Sequence, residues 1–260
     1  MEKLSYYLQT LQKNKPVVCC LTNIVSVDFV CNALISVGAS PIVSCSEDEI
    51  EELIGISQAL YINIGTLDSM FMALAKKAIV AARRQNIPIV LDPVGAGATA
   101  LRTNFAREIL GDLSIVKGNA SEVMALVGGL KRSSGVDSLN SVEQAKESAT
   151  SLAREHGICV AITGREDFIA DSQRAAQLHF GCELMSKITG VGCSLGGVIA
   201  AFASVSDNYF EAVRMAILYY TICAEIAYKK ADSPASFKIE FLDTLYQQPL
   251  SQIKEIYYGK

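Results

Sequence analysis

Residues 59–91 read ALYINIGTLDSMFMALAKKAIVAARRQNIPIVL, and how this stretch divides decides the fold. Ala59–Ile64 and Pro88–Leu91 are short, continuous apolar runs, the signature of strands buried on both faces. Between them Ser69–Gln85 has the longer amphipathic pattern of a helix. Strand, helix, strand in that order predicts a parallel pair joined by a right-handed crossover. The pattern continues outward in both directions. Further strands are expected at Pro16–Leu21, Ala39–Val43, Ile115–Val116 and Ile158–Ile162. Helices are expected at Val27–Val37, Glu47–Ile56, Ala120–Val127, Ser141–His156, Cys193–Ala203, Phe210–Lys230 and Ser236–Tyr246, with a polar helix-like opening from Met1. Phe168–Asp171 and Ala176–Phe180, separated by polar residues, predict an antiparallel hairpin at one sheet edge. The polar stretch Gly129–Ser141 reads as a surface loop, not a linker. The expectation is one α/β domain over residues 1–260, a mostly parallel sheet with helices on both faces.

Half of the 260 residues are hydrophobic and 19% are charged, enough for a continuous buried core. The formal net charge is −4 and no run of Lys and Arg occurs, which disfavours nucleic-acid and anionic-membrane partners. Any phosphorylated ligand must then be held locally, by backbone N–H groups and one or two cations. No charged-then-apolar leader opens the chain and no apolar stretch is long enough to span a bilayer. Eight cysteines include adjacent Cys19 and Cys20 but no Cys-x-x-Cys pair, and Cys31, Cys45, Cys159 and Cys223 fall in apolar runs. His156 and His179 do not complete a zinc site. Reduced thiols in a cytoplasmic protein are expected.

In such sheets ligands bind beyond the carboxyl ends of the strands, and the chemistry-bearing residues fall there. Gly190-Val191-Gly192-Cys193 precedes a long apolar helix; its glycines bare backbone N–H groups at a helix N-terminus, forming a nest for an oxyanion such as a transferring phosphoryl group. Cys193 stands where a base could take a proton from a substrate hydroxyl, or where a small thiol simply packs. Leu91-Asp92-Pro93-Val94-Gly95-Ala96-Gly97 ends a strand with a carboxylate, suited to hydrated Mg²⁺ or to capping a turn. Asn119 and Glu122 have capping-box spacing, which is compatible with a place on the phosphate and metal side, Glu122 acting through water. On that second reading Lys117 would reach a nucleotide phosphate. Thr163, before Gly164, offers a hydroxyl to a phosphate or to its own turn. Asn23 suits a neutral substrate's polar group, and Val43 an apolar wall.

Assembled, these loops resemble those of the hydroxyethylthiazole kinase family within the ribokinase-like superfamily. The resemblance rests on Thr22-Asn23, Gly38-Ala39-Ser40-Pro41, Asn63-Ile64-Gly65-Thr66-Leu67, Asp92-Pro93-Val94-Gly95-Ala96-Gly97-Ala98-Thr99, Gly118-Asn119-Ala120-Ser121-Glu122, Ile162-Thr163-Gly164 and Thr189-Gly190-Val191-Gly192-Cys193. The aspartate-proline string is especially specific, as is a cysteine closing the glycine loop, where most ribokinase relatives carry aspartate. The resemblance implies a ribokinase-like three-layer αβα sandwich. It also implies phosphorylation of 4-methyl-5-(2-hydroxyethyl)thiazole by ATP and Mg²⁺, in the making of thiamine phosphate. By position it implies Cys193 as base, Asn23, Val43 and Gly190 at the substrate, and Lys117 and Thr163 at ATP. Asp92, Asn119 and Glu122 fall at the metal. A homotrimer with sites between subunits is the family's habit.

Departures from the family pattern touch substrate range and turnover more than reaction type. Val43 stands where methionine is common, and Lys117 where arginine is common, keeping the charge but losing the bidentate fork. Asp28 stands where asparagine is frequent, Val191 replaces a smaller or hydroxylated residue, and Ser194-Leu195-Gly196-Gly197 is an unusual helix start. The alternatives are another enzyme on the same scaffold, a hydroxymethylpyrimidine-type kinase or an ATP-dependent NAD(P)H-hydrate dehydratase, or a non-catalytic sensor. A pure binder would need no base.

Overall fold

The computed structural model describes residues 1–127 and 138–259. Helix α1 (Glu2–Asn14) leads to β1 (Val17–Leu21), α2 (Val27–Val37), β2 (Ser40–Val43), α3 (Ile50–Gly55), β3 (Ala59–Asn63), α4 (Ser69–Arg84) and β4 (Ile89–Asp92). There follow α5 (Ala100–Glu108), β5 (Ile115–Gly118), α6 (Ala120–Leu126), α7 (Ser138–His156), β6 (Cys159–Ile162), β7 (Asp167–Ala170) and β8 (Ala175–Leu178). The chain ends with α8 (Val191–Ala203), α9 (Tyr209–Tyr228), α10 (Pro234–Gln247) and α11 (Leu250–Gly259). The expected loop at 129–141 lies, for residues 129–137, outside the described residues, and α7 has already begun at Ser138.

The strands form one sheet in the order β2-β1-β3-β4-β5-β6-β7-β8. The first six are mutually parallel, and β7 and β8 close the far edge as the expected antiparallel hairpin. Side chains alternate across it. Val18, Cys20, Ala59, Tyr61, Val90 and Ile115 join a core with α1, α2, α8, α9 and α10. Their neighbours Cys19, Leu21, Leu60, Ile62, Leu91 and Val116 join the second core, with α3 to α7. Strands sandwiched this way must be apolar on both faces, hence the continuous runs.

Two helices lie outside the expected elements, and one cysteine departs from its expected setting. Helix α5 was not expected, because Ala100–Glu108 is polar overall; its start is set locally by Thr99, whose hydroxyl accepts from Arg102 N. Helix α11 was likewise missed. Cys45, read as part of an apolar run, is exposed, although all eight cysteines are free thiols.

Candidate active site

Strand order reverses at β1: the chain runs from β1 to β2 on one side and then to β3 on the other. The crevice at such a switch point is where open α/β sheets bind ligands. Here it is framed by Asn23, two residues beyond β1, and Asn63, the last residue of β3. Both are buried, and Asn23 Nδ2 donates to Asn63 Oδ1 at 2.8 Å. The backbone fixes both amides. Asn23 Oδ1 accepts from the N–H groups of Val25 and Ser26, and Asn63 Oδ1 from that of Gly65. Asn23 Nδ2 therefore faces the crevice, where it also donates to Cys193 Sγ at 3.3 Å.

Cys193 lies in the first turn of α8, above this crevice. Gly190 sits at the helix N-cap with φ 92°, and a Cβ there would come within 2.9 Å of Ser26 Cβ. The left-handed backbone and the close approach of α2 both require glycine. The first-turn N–H groups of α8 have no carbonyl to meet within the helix, and no side chain caps them at Gly190. Behind them the turn is pinned by side chains. Lys117 Nζ donates to Gly192 O at 2.9 Å, Tyr61 Oη to Cys193 O at 2.7 Å, and Tyr220 Oη to Val191 O at 2.8 Å. Lys117 is thus buried beneath the nest, with Nζ 3.4 Å from Asp92 Oδ2, and not extended into the cleft.

Asp92 ends β4 and is fully buried. Its Oδ2 receives Asn63 Nδ2 at 3.1 Å and lies 3.2 Å from Tyr61 Oη, whereas its Oδ1 has no hydrogen-bond partner. Burial pushes its pKa up, the Lys117 cation pulls it back, and the Glu122 charge raises it again. Glu122 completes the expected capping box at the start of α6: Oε2 accepts from Asn119 N at 2.8 Å, and Asn119 Oδ1 accepts from Glu122 N at 2.9 Å. Its Oε1 accepts from Gly95 N, tying the glycine turn after β4 to α6. Among the described residues no three His, Cys, Asp or Glu side chains converge to cage a metal. Mg²⁺ needs no cage: it commonly takes one or two carboxylates with waters and substrate phosphates. The unpartnered Asp92 Oδ1 fits that role.

A cavity of about 790 Å³ opens beside the nest, lined by Thr163, Gly164, Asp167, Gly192, Leu195 and Tyr220. Its size falls in the range of small-molecule sites. Thr163 Oγ1 reaches back 3.4 Å to Gly118 O, at the end of β5. Asp167 Oδ1 accepts from Gly164 N, and burial pushes its pKa up to about 7 against the Gly164 bond and the Lys117 charge.

The crevice thus gathers Asn23, Gly190, Val191, Gly192 and Cys193, with Asp92 and Lys117 buried beneath them, Thr163 in the adjoining cavity, and Asn119 and Glu122 holding the turn beside Asp92. Val43 stands apart. It ends edge strand β2, pairs with Cys20 in register, and is 41% exposed. Sequence reading gave no role to Tyr61 and Asn63. For Asn63 the available signal was the same as for Asp92, a polar group at the end of an otherwise apolar strand; Tyr61, in the middle of β3, carried no such signal. Among the described residues no helix is long and apolar enough to cross a membrane.

The hydroxyethylthiazole kinase family model matches residues 8–250. A hydroxyethylthiazole kinase of Chlamydia caviae is 45% identical over 259 residues, 99% of each chain. The solved hydroxyethylthiazole kinase of Pyrococcus horikoshii superposes with a TM-score of 0.87 at 37% identity, over 95% of this chain and 94% of that one. A ribokinase-like superfamily protein from Enterococcus faecalis shares the fold, with a TM-score of 0.66 at 14% identity over 91% and 89% of the two chains.

Proposed function

The chain belongs to the hydroxyethylthiazole kinase family, and from that premise we propose that it moves the terminal phosphoryl group of ATP onto the primary hydroxyl of 4-methyl-5-(2-hydroxyethyl)thiazole. One observation carries the mechanism: Cys193 Sγ and the bared first turn of α8 face the crevice that also holds Asp92. Transfer of this kind needs positioning and charge stabilisation more than an activated nucleophile. In this reading the N–H groups from Gly190 to Cys193 hold the transferring group, and Lys117, from beneath, contributes positive charge through the nest. Cys193 orients the hydroxyl and accepts its proton. Gly190 and Asn23 border the alcohol, Val43 supplies an apolar wall, and Thr163 with the adjoining cavity receives the nucleotide. Mg²⁺, when bound, offsets polyphosphate charge; Asp92 would hold it, with Asn119 and Glu122 reaching it through water.

We take residues 1–260 as one kinase domain working in the cytoplasm, a reading supported by the free thiols, and as a homotrimer with sites between subunits. Exposed Ile24, Val25 and Val43, all at the carboxyl ends of β1 and β2, support the trimer.

The test is incubation with ATP, Mg²⁺ and the thiazole alcohol, reading the phosphorylated product by mass spectrometry. Cys193→Ala should lower kcat by about 10²–10⁴-fold with little change in KM, and Cys193→Asp should keep substantial activity. Absence of thiazole phosphate, with turnover of a pyrimidine alcohol or a hydrated nicotinamide nucleotide instead, would overturn the substrate assignment. An alanine variant with normal kcat would remove Cys193 from the chemistry.

A further inference from the structure

Two residues to which the proposed mechanism gives no ligand contact connect the two halves of the site. Tyr61 and Asn63 are two apart on β3, so both side chains stand on the face that packs under α8. Both are wholly buried. Asn63 Nδ2 donates to Asp92 Oδ2 at 3.1 Å and to Tyr61 Oη at 3.0 Å. Its Oδ1 accepts from Asn23 Nδ2 at 2.8 Å, and the same Nδ2 donates to Cys193 Sγ at 3.3 Å. Tyr61 Oη has a single hydrogen, and its shortest acceptor is Cys193 O at 2.7 Å. The sulfur is thus gripped from its side-chain end through Asn63 and Asn23, and from its backbone end through Tyr61. Asp92 is tied to Asn63 directly.

The packing singles out Tyr61 as well. A Cβ on Gly196 would lie 2.6 Å from Tyr61 Cε2 and 2.8 Å from Tyr61 Oη. Helix α8 has no side chain at the one position where the phenol passes beneath it to reach Cys193 O. A tyrosine accommodated at the expense of a helix-interior glycine, which itself costs roughly 0.5–1 kcal/mol relative to alanine, is a polar anchor and not mere filling. A buried polar group is stabilising only when fully satisfied, and Asn63 has all four of its hydrogen-bonding positions filled.

We propose that Tyr61 and Asn63 are positioning residues, a buried relay that sets Cys193 Sγ relative to Asp92 and so couples the acceptor side of the site to its phosphate side. The inference rests on the reading of Cys193 as the group that meets the alcohol, and deepens it. A positional error of about 1 Å at such a site is enough for a loss near 10²-fold. Tyr61→Phe removes only the hydroxyl and keeps the ring against Gly196. Asn63→Asp keeps the acceptor for Asn23 and Gly65 while removing both donors.

Kinetics with the thiazole alcohol should show kcat reduced at least about tenfold in Tyr61→Phe, Asn63→Asp and Asn63→Ala, with KM for both substrates within about threefold of the parent. In a Cys193→Ala background the same changes should cost less than about threefold more, because residues acting through one group are not additive. Site-resolved alkylation supplies a readout that needs no substrate. The rate at Cys193, measured against exposed Cys45 in the same molecule, should change by at least about threefold in Asn63→Ala. Full additivity with Cys193→Ala, or an unchanged Cys193 alkylation rate, would overturn the relay, since a merely structural role predicts both. If the parent fails to phosphorylate the thiazole alcohol, the substrate reading fails by itself, and the alkylation comparison still decides the relay.

Discussion

Asp167 shows how much a single buried carboxyl can weigh. It caps the Gly164 turn from inside the cavity wall, and the one backbone N–H that it accepts does not offset its loss of hydration. Its folded pKa, near 7, exceeds the ordinary 3.8, so the folded chain binds this proton more tightly than the unfolded one. The stabilisation is therefore complete below about pH 4 and is lost as pH rises through about 7. Asp167→Asn keeps the acceptor oxygen and discards the charge. It should raise Tm by roughly 3–6 °C at pH 8, with the gain fading to nothing near pH 4. Thermal melts of both proteins across that range make the comparison; a gain of the same size at pH 4, or none at pH 8, would show that ionisation is not the cause.

At the scale of elements, the contact between α8 and β3 is the tightest demand on sequence. Gly196→Ala would drive a methyl group into the Tyr61 ring, which is fixed by its bonds to Cys193 O and Asn63. Overpacking of this kind costs about 1–3 kcal/mol. Chemical denaturation should show that loss in Gly196→Ala, and Gly196→Ala should cost less when made in a Tyr61→Val background, where the ring that it meets is gone. A neutral Gly196→Ala would mean that α8 can lift without harm. The elements themselves were largely legible. Helix α2 runs from Val27 to Val37 as its spacing predicts, and the β7–β8 hairpin pairs as expected, because these patterns are written in contiguous residues. The strand-end patterns were legible for the same reason: Asp92 closing β4, the capping box of Asn119 and Glu122, and the glycine at the N-cap of α8 are all local. What could not be read was the register between strands. That Asn63 lies beside Asp92 depends on how β3 pairs with β4, and that Lys117 turns under Gly192 depends on where α8 settles. Both are decided by packing across hundreds of atoms and not by any spacing along the chain.

For the whole molecule, the edge of the sheet that carries the candidate site is oddly apolar. Ile24 and Val25, just beyond β1, are 77% and 67% exposed, and Val43 at the end of β2 is 41% exposed. Met70 and Leu101, which open the helices after β3 and β4, are exposed on the same edge. Val43, which the proposed function makes a wall for the thiazole ring, gains little from facing water, and burial against a neighbour returns on the order of 25 cal/mol per Å² of apolar surface. A second chain covering this edge would therefore both stabilise the assembly and dry the substrate's side of the site. The expected consequence is coupling between assembly and turnover. Sedimentation equilibrium should show three chains per particle. Ile24→Glu with Val25→Glu, which leaves Cys193, Asp92 and the nest untouched, should yield monomers whose kcat/KM for the thiazole alcohol falls at least about tenfold through KM, since uniform ligand binding is what a missing wall removes. Monomers retaining full kcat/KM would show that each chain holds a complete site of its own.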